Sequence, residues 1–85
     1  MSIFFVDTMR GDLINIQAVK VLISHLPEIT DGAYKRATEI AIKTILQDVV
    51  YEWKKFYYTS CTDLTVLEYL EMSQAEYEYW LMGKR

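Results

Sequence analysis

His25 and Cys61 are the only histidine and the only cysteine in the chain. Together they supply two soft ligands, too few for a zinc site, which takes four in its structural form and three in its catalytic form. A Cys–His nucleophile needs the two side chains within hydrogen-bonding reach, and nothing in their spacing supports that pairing. Carboxylates are plentiful near the end of the chain, as Glu68/Glu71 and Glu76/Glu78. Helix surface and helix capping account for these acids better than general acid–base chemistry does. No glycine-rich loop is present to cradle a phosphate. Arg10-Gly11-Asp12 spells a cell-adhesion tripeptide, which carries little weight in a chain of this composition. The expectation is a protein that is not an enzyme and that uses no cofactor and no metal.

Composition bounds the alternatives. With 85 residues, 52% of them hydrophobic, the chain makes one domain with an adequate core and is not disordered. Seven tyrosines and two tryptophans exceed what a small core requires, and such residues suit interfaces because a large apolar body carries a polar tip. One cysteine forms no internal disulfide, whereas small secreted domains depend on several. The opening "MSIFFVDTMRGD" lacks the basic leader and long apolar run of a signal peptide, and no segment reaches the length of a membrane span. A cytoplasmic protein with no membrane association is expected. The net charge of −3 runs against nucleic acid as the main partner, because phosphate neutralisation by basic side chains supplies most non-specific affinity.

The elements that must position these groups are helices. Residues 1–11 are read as an apolar arm draped over them, in preference to a strand, since a lone strand has no partner for its backbone. Asp12 is placed to cap a helix over 12–26, in which Leu13, Ile16, Val19, Ile23 and Leu26 recur at helical steps until Pro27 stops it. Thr30 or Asp31 caps a long helix over 31–58. There Ile42, Ile45, Leu46, Val49, Val50, Trp53, Phe56 and Tyr57 form one stripe. Arg36, Lys43, Gln47, Asp48, Glu52, Lys54 and Lys55 take the other side. Such a helix spans nearly 40 Å at about 1.5 Å per residue. It must break, be wrapped by its neighbours, or receive a second copy, and a homodimer is the expectation.

Two short helices, 63–70 and 74–82, complete the chain within residues 62–83. Thr62 is the expected cap of the first. Ser73 and Glu76 form an S-x-x-E capping box for the second, with Met72 and Tyr77 spaced as a hydrophobic staple. Gly83 ends that helix where a left-handed residue is wanted, and Lys84 and Arg85 follow at the negative end of the helix dipole. On these residues "VLEYLEMSQAEYEYWLMG" resembles the helix-turn-helix of the phage-repressor superfamily. The segment also resembles the ends of short proteins of phages and mobile elements, which close on a Y-L-x-M-S-x-x-E-Y-like stretch. Either resemblance covers about a quarter of the chain. The helix-turn-helix register implies that Leu67, Leu70, Met72, Tyr77 and Trp80 are buried, and that Gln74, Ala75, Glu78 and Tyr79 face outward. Gln74 falls where that superfamily often places a base-reading glutamine. The chain departs from the pattern at Glu71, where glycine is usual, at Leu67, where a small residue is usual, and at Tyr77, where a compact aliphatic is usual. The unit also carries Asp63, Glu68, Glu71, Glu76 and Glu78, with no Lys or Arg before Lys84. A carboxylate beside phosphate is repelled.

The fold expected is all-α: a small bundle of about four helices, with one long central helix and a C-terminal helix-turn-helix-like pair. The acidic, aromatic surface of that pair suits a protein partner with a basic surface, because arginine stacks on tyrosine and bonds a carboxylate. The partner-binding residues expected are Glu68, Tyr69, Gln74, Glu78, Tyr79 and Met82. The function expected is a small binding protein encoded by a phage or mobile element, of the anti-CRISPR-like inhibitor or antitoxin type. The alternative is a dimeric helix-turn-helix transcriptional regulator that reads DNA with 74–82.

Overall fold

A computed structural model describes residues 3–83, with side chains from residue 8 onward. Lys84 and Arg85, expected beside the last helix end, lie outside the described residues. Every regular element described is helical: α1 (Ile3–His25), a 3-10 turn (Leu26–Glu28), α2 (Gly32–Tyr58), α3 (Val66–Leu70) and α4 (Gln74–Leu81). The protein is an all-α bundle of four α-helices with one long central helix.

The first helix corrects the reading of residues 1–11 as an arm from residue 3 onward, and residues 1 and 2 lie outside the described residues. α1 is continuous from Ile3, so Gly11 lies within it and Asp12 does not cap it. Gly11 costs roughly 1 kcal/mol relative to alanine in a helix interior, which the remaining residues of α1 outweigh. Asp12 instead points into the bundle, four and seven residues ahead of the buried Ile16 and Val19. Leu13, placed on the apolar face by its spacing, is exposed.

At the end of α1, Pro27 sits in the first turn of the 3-10 element, where its missing N–H costs nothing. Asp31 then caps α2 by accepting from the Tyr34 N–H at 2.9 Å. α2 runs unbroken for 27 residues, and the molecule measures 45 Å along its longest axis. Its inner stripe buries Ile42, Leu46, Val49 and Phe56 completely and Ile45, Val50 and Trp53 in part. Fully burying such a side chain stabilises by about 1.5–3 kcal/mol. Tyr57, expected in the stripe, is exposed, while Glu52, expected on the solvent side, is half-buried.

α2 ends in a tight turn rather than by fraying. Cys61 N–H bonds Phe56 O at 2.8 Å and Ser60 N–H bonds Tyr57 O at 3.2 Å, the paired bonds of a Schellman motif. Ser60 takes the left-handed conformation there, with φ of 60°. Trp53 Nε1 donates to Leu64 O at 2.8 Å and pins the following loop back onto α2. This anchor sets where α3 and α4 begin. Leu70 and Trp80 then close the core formed by Ile16, Val19, Leu26, Ile42, Leu46 and Val49.

Candidate functional site

Local sequence determines the last two helices at each of their ends. Thr65, not Thr62, caps α3: the Glu68 N–H donates to Thr65 Oγ1 at 3.2 Å, and the Thr65 N–H donates to Glu68 Oε1 at 3.0 Å. α3 therefore starts at Val66 and is only five residues long. The Thr65 N–H bond to the carboxylate, and next the Thr65 hydroxyl beside it, hold the Glu68 carboxyl below its ordinary range. The turn is a second Schellman motif, with Met72 N–H on Leu67 O at 3.1 Å and Glu71 N–H on Glu68 O at 3.2 Å. Glu71 occupies its left-handed position, at φ 55° and ψ 44°. Ser73 and Glu76 form the capping box of α4, with bonds of 3.2 and 3.1 Å. Gly83 follows the helix with φ of 70°.

The buried register of this unit holds at Leu70 and Trp80, both in the core, and at Met72 and Tyr77, which pack partly against it. Leu67 is half-buried. The outward residues of α4 are Gln74, Ala75 and Tyr79, with Tyr79 41% exposed and set edge-on to Trp80 at 5.0 Å between ring centres. Met82 is 54% exposed at the helix end. Glu78, expected fully outward, is half-buried, and its Oε1 accepts from Gln74 Nε2 at 3.2 Å. Gln74 and Glu78 thus satisfy one another along the helix face, one turn apart.

Tyr69 is the principal correction to the expected partner-binding set. It is half-buried, and its hydroxyl donates to Asp12 Oδ2 at 2.7 Å, bridging α3 to α1. Its ring packs near Phe56, with centres 6.4 Å apart. The phenol is thus tied to a carboxylate in the helix seam rather than held out to solvent, while the residue still borders the cleft beside Glu68. Glu68 borders a cleft with Met9, Leu13 and Leu64, whereas Tyr79 borders a groove with Ile23, Leu26, Lys35 and Glu39. Gln74, Glu78, Tyr79 and Met82 remain together on α4, and Glu68 stands apart on another cleft.

Sequence reasoning missed a buried acid cluster where α1, α2 and α3 meet. Asp12 is 2% exposed, yet it faces the Glu52 carboxyl as well as the Tyr69 hydroxyl. Two carboxylates can hydrogen-bond one another only when one of them keeps a proton. Glu52 Oε2 is buried with no hydrogen-bond partner among the described residues, so a negative charge on this carboxyl would go unsolvated and Glu52 is the acid that keeps the proton. Burial first, then the bond to Asp12 and its charge, push the Glu52 carboxyl up from 4.5 to about 7. Burial likewise raises Asp12, against the pull of the Tyr69 bond. Burial and the neighbouring acids also raise the Tyr69 phenol, which stays protonated as the donor. The signal was present in the sequence, because Asp12 falls in register with Ile16 and Val19. Gly11 beside it read as a helix boundary.

The remaining polar chemistry is dispersed. His25 Nδ1 lies 3.3 Å from Glu28 Oε2, and both side chains are exposed. Cys61 sits in the loop after α2, at the opposite end of that helix from His25, and receives a Thr59 hydroxyl at 3.4 Å. Among the described residues no three His, Cys, Asp or Glu side chains gather as a metal site. No described helix is long and apolar enough to cross a membrane. Neither a protein-family model, nor a curated protein, nor a solved structure gives a significant match to this chain. What the structure establishes of its class is therefore the fold, a small all-α bundle.

Proposed function

We propose that the chain is a small binding protein that acts by protein–protein contact, with the outward face of α4 docking on a basic surface of its partner. The observation that carries this reading is the joint exposure of Tyr79 and Met82 beside Glu78 on a helix held rigid at both ends. Tyr79 offers a ring for an arginine to stack on, Met82 an adaptable apolar contact, and Glu78 a carboxylate for the guanidinium. Gln74 can open its bond to Glu78 and bond the partner instead. Glu68 adds negative charge from α3 without belonging to the contact itself. In size and surface this agrees with the anti-CRISPR-like inhibitors and antitoxins of phages and mobile elements, which is the kind of role we assign. The protein would work in the cytoplasm, where such targets reside.

The test is Glu78→Arg with Tyr79→Ala, the first half-buried and the second exposed on α4. The double variant should keep its helix content and lose the partner in affinity capture from cells that naturally express the chain. Undiminished capture would refute the reading.

A second reading, DNA recognition through α4, is favoured by the exposed Gln74 at the start of a helix that follows a three-residue turn. It predicts binding to duplex DNA that weakens steeply with salt. Against it stand the acidic surroundings of the helix, with Glu76 and Glu78 following Gln74 and no basic side chain between Asp63 and Gly83.

A further inference from the structure

We infer that the outward face of α1 is a self-association seam, on which a second copy of this chain packs its own α1 antiparallel. Gly11, Ile14, Ala18 and Val21 follow one another at steps of three, four and three residues, the spacing of a helix–helix seam. All four are exposed, Ile14 at 65% and Val21 at 55%, on the side of α1 away from the buried Asp12, Ile16 and Val19. A soluble helix ordinarily turns such a stripe inward and gives its outer face to charge. Here the order is doubled, with one apolar stripe in the core and a second facing out.

The occupant follows from three properties of the stripe. Its spacing is palindromic, so a two-fold axis beside residue 16 returns the pattern onto itself. Its sizes alternate, so that axis sets Val21 of one copy over Gly11 of the other, and Ile14 over Ala18. A side chain added at Gly11 would meet nothing within 4 Å in the single chain, which leaves space for the partner's valine. An isologous interface needs this self-complementarity, and an unrelated partner does not.

Charge points the same way. The chain carries −3 overall, so two copies repel each other wherever acidic faces meet. From Gly11 to Ser24 the only charged residues of α1 are Asp12, which is buried, and Lys20, which is paired with Glu71 at 3.8 Å. The flanks of the seam are Asn15, Gln17 and Ser24, with Arg10 at one end, so like charges do not face each other. Between Gly11 and Ser24 the seam offers a charged partner no unpaired charge, and Arg10 lies at its end. The area sets the strength: two helices touching over roughly fifteen residues bury about half of the ~1,600 Å² of a standard interface. Such an area lies at the low end for a specific contact, so the dimer is weak and forms only at high protein concentration.

Sedimentation velocity over a concentration series tests the seam. The chain should pass from monomer to dimer, and Ile14→Lys should raise the dissociation constant at least about tenfold while circular dichroism stays unchanged. Register is tested in a Cys61→Ser background by air oxidation of Ile14→Cys and Ala18→Cys variants. A mixture of the two should give a disulfide-linked dimer in higher yield than either variant alone. A strict monomer at millimolar concentration, a dimer indifferent to Ile14→Lys, or preferential self-coupling of Ile14→Cys would overturn the proposal. So would a monomer that sediments with lipid vesicles through this face.

Discussion

Replacing Glu52 with glutamine should change how stability depends on pH, because Glu52 is where the bundle keeps a proton that the unfolded chain loses. Folded, its carboxyl titrates at about 7 rather than 4.5, so between these values the folded chain binds more protons than the unfolded one. Stability contributed by that proton is complete below pH 4.5 and is lost as pH climbs through 7. The full shift, about 2.5 pH units at 1.36 kcal/mol each, corresponds to about 3 kcal/mol. Glu52 is only half-buried, and solvent screening reduces this to about 1–2 kcal/mol. Above pH 8 the seam then holds two carboxylates, Asp12 and Glu52, facing one another with the single Tyr69 donor.

Glutamine keeps a donor toward Asp12 at every pH and carries no charge. Glu52→Gln should therefore match the parent near pH 5 and exceed it by about 1–2 kcal/mol at pH 8.5, or roughly 5–10 °C in melting temperature for a domain this size. Urea melts followed by circular dichroism at pH steps from 5 to 8.5 measure this. Starting at pH 5 avoids the opposite effect of Glu68, whose lowered carboxyl loses stability only as pH falls. Parent stability that stays flat or rises with pH would refute the shared proton, as would a Glu52→Gln variant with the parent's slope.

The other substitutions act on single identifiable contacts. Tyr69→Phe removes the 2.7 Å donor from the buried Asp12 and should destabilise by about 1–3 kcal/mol in a urea melt, since an unsatisfied buried acceptor bears its full desolvation cost. Glu71→Gly relieves the left-handed backbone at φ 55° and should stabilise by about 1 kcal/mol, and the 3.8 Å Lys20 pair it gives up is exposed and weak. Ser73→Ala breaks the capping box of α4 and should lower stability by about 1 kcal/mol, with faster amide exchange at Gln74–Tyr77 as the local signature.

Much of the fold was legible because its signals are local. Asp31, Ser73 and Gly83 mark helix ends by their own chemistry, and the spacing of Ile42, Leu46, Val49 and Phe56 defines the buried face of α2 without reference to other elements. Thr65 was as readable as Ser73, since Glu68 stands three residues on, yet Thr62 drew the cap to an earlier hydroxyl. The start of α1 was misplaced for a physical reason: Gly11 interrupts the run before Asp12, and glycine more often breaks a helix than continues one. That single misplacement hid the acid cluster. With Asp12 set at a helix start, its inward register went unseen, and Tyr69 lost the partner that draws it into the seam. Exposure of Tyr79 followed from the helix-turn-helix register, whereas the pairing of Gln74 with Glu78 required the rotamers.

The central claim is that the exposed face of α4 holds a protein partner. It is tested most directly by affinity capture from cells that naturally express the chain, comparing the parent with Glu78→Arg/Tyr79→Ala after nuclease treatment and reading the bound proteins by quantitative mass spectrometry. The account predicts one or a few proteins with a basic surface, retained by the parent and depleted at least about tenfold by the double variant, a loss of about 1.4 kcal/mol or more. Equal recovery by both forms, or binding that disappears with the nucleic acid, would contradict it.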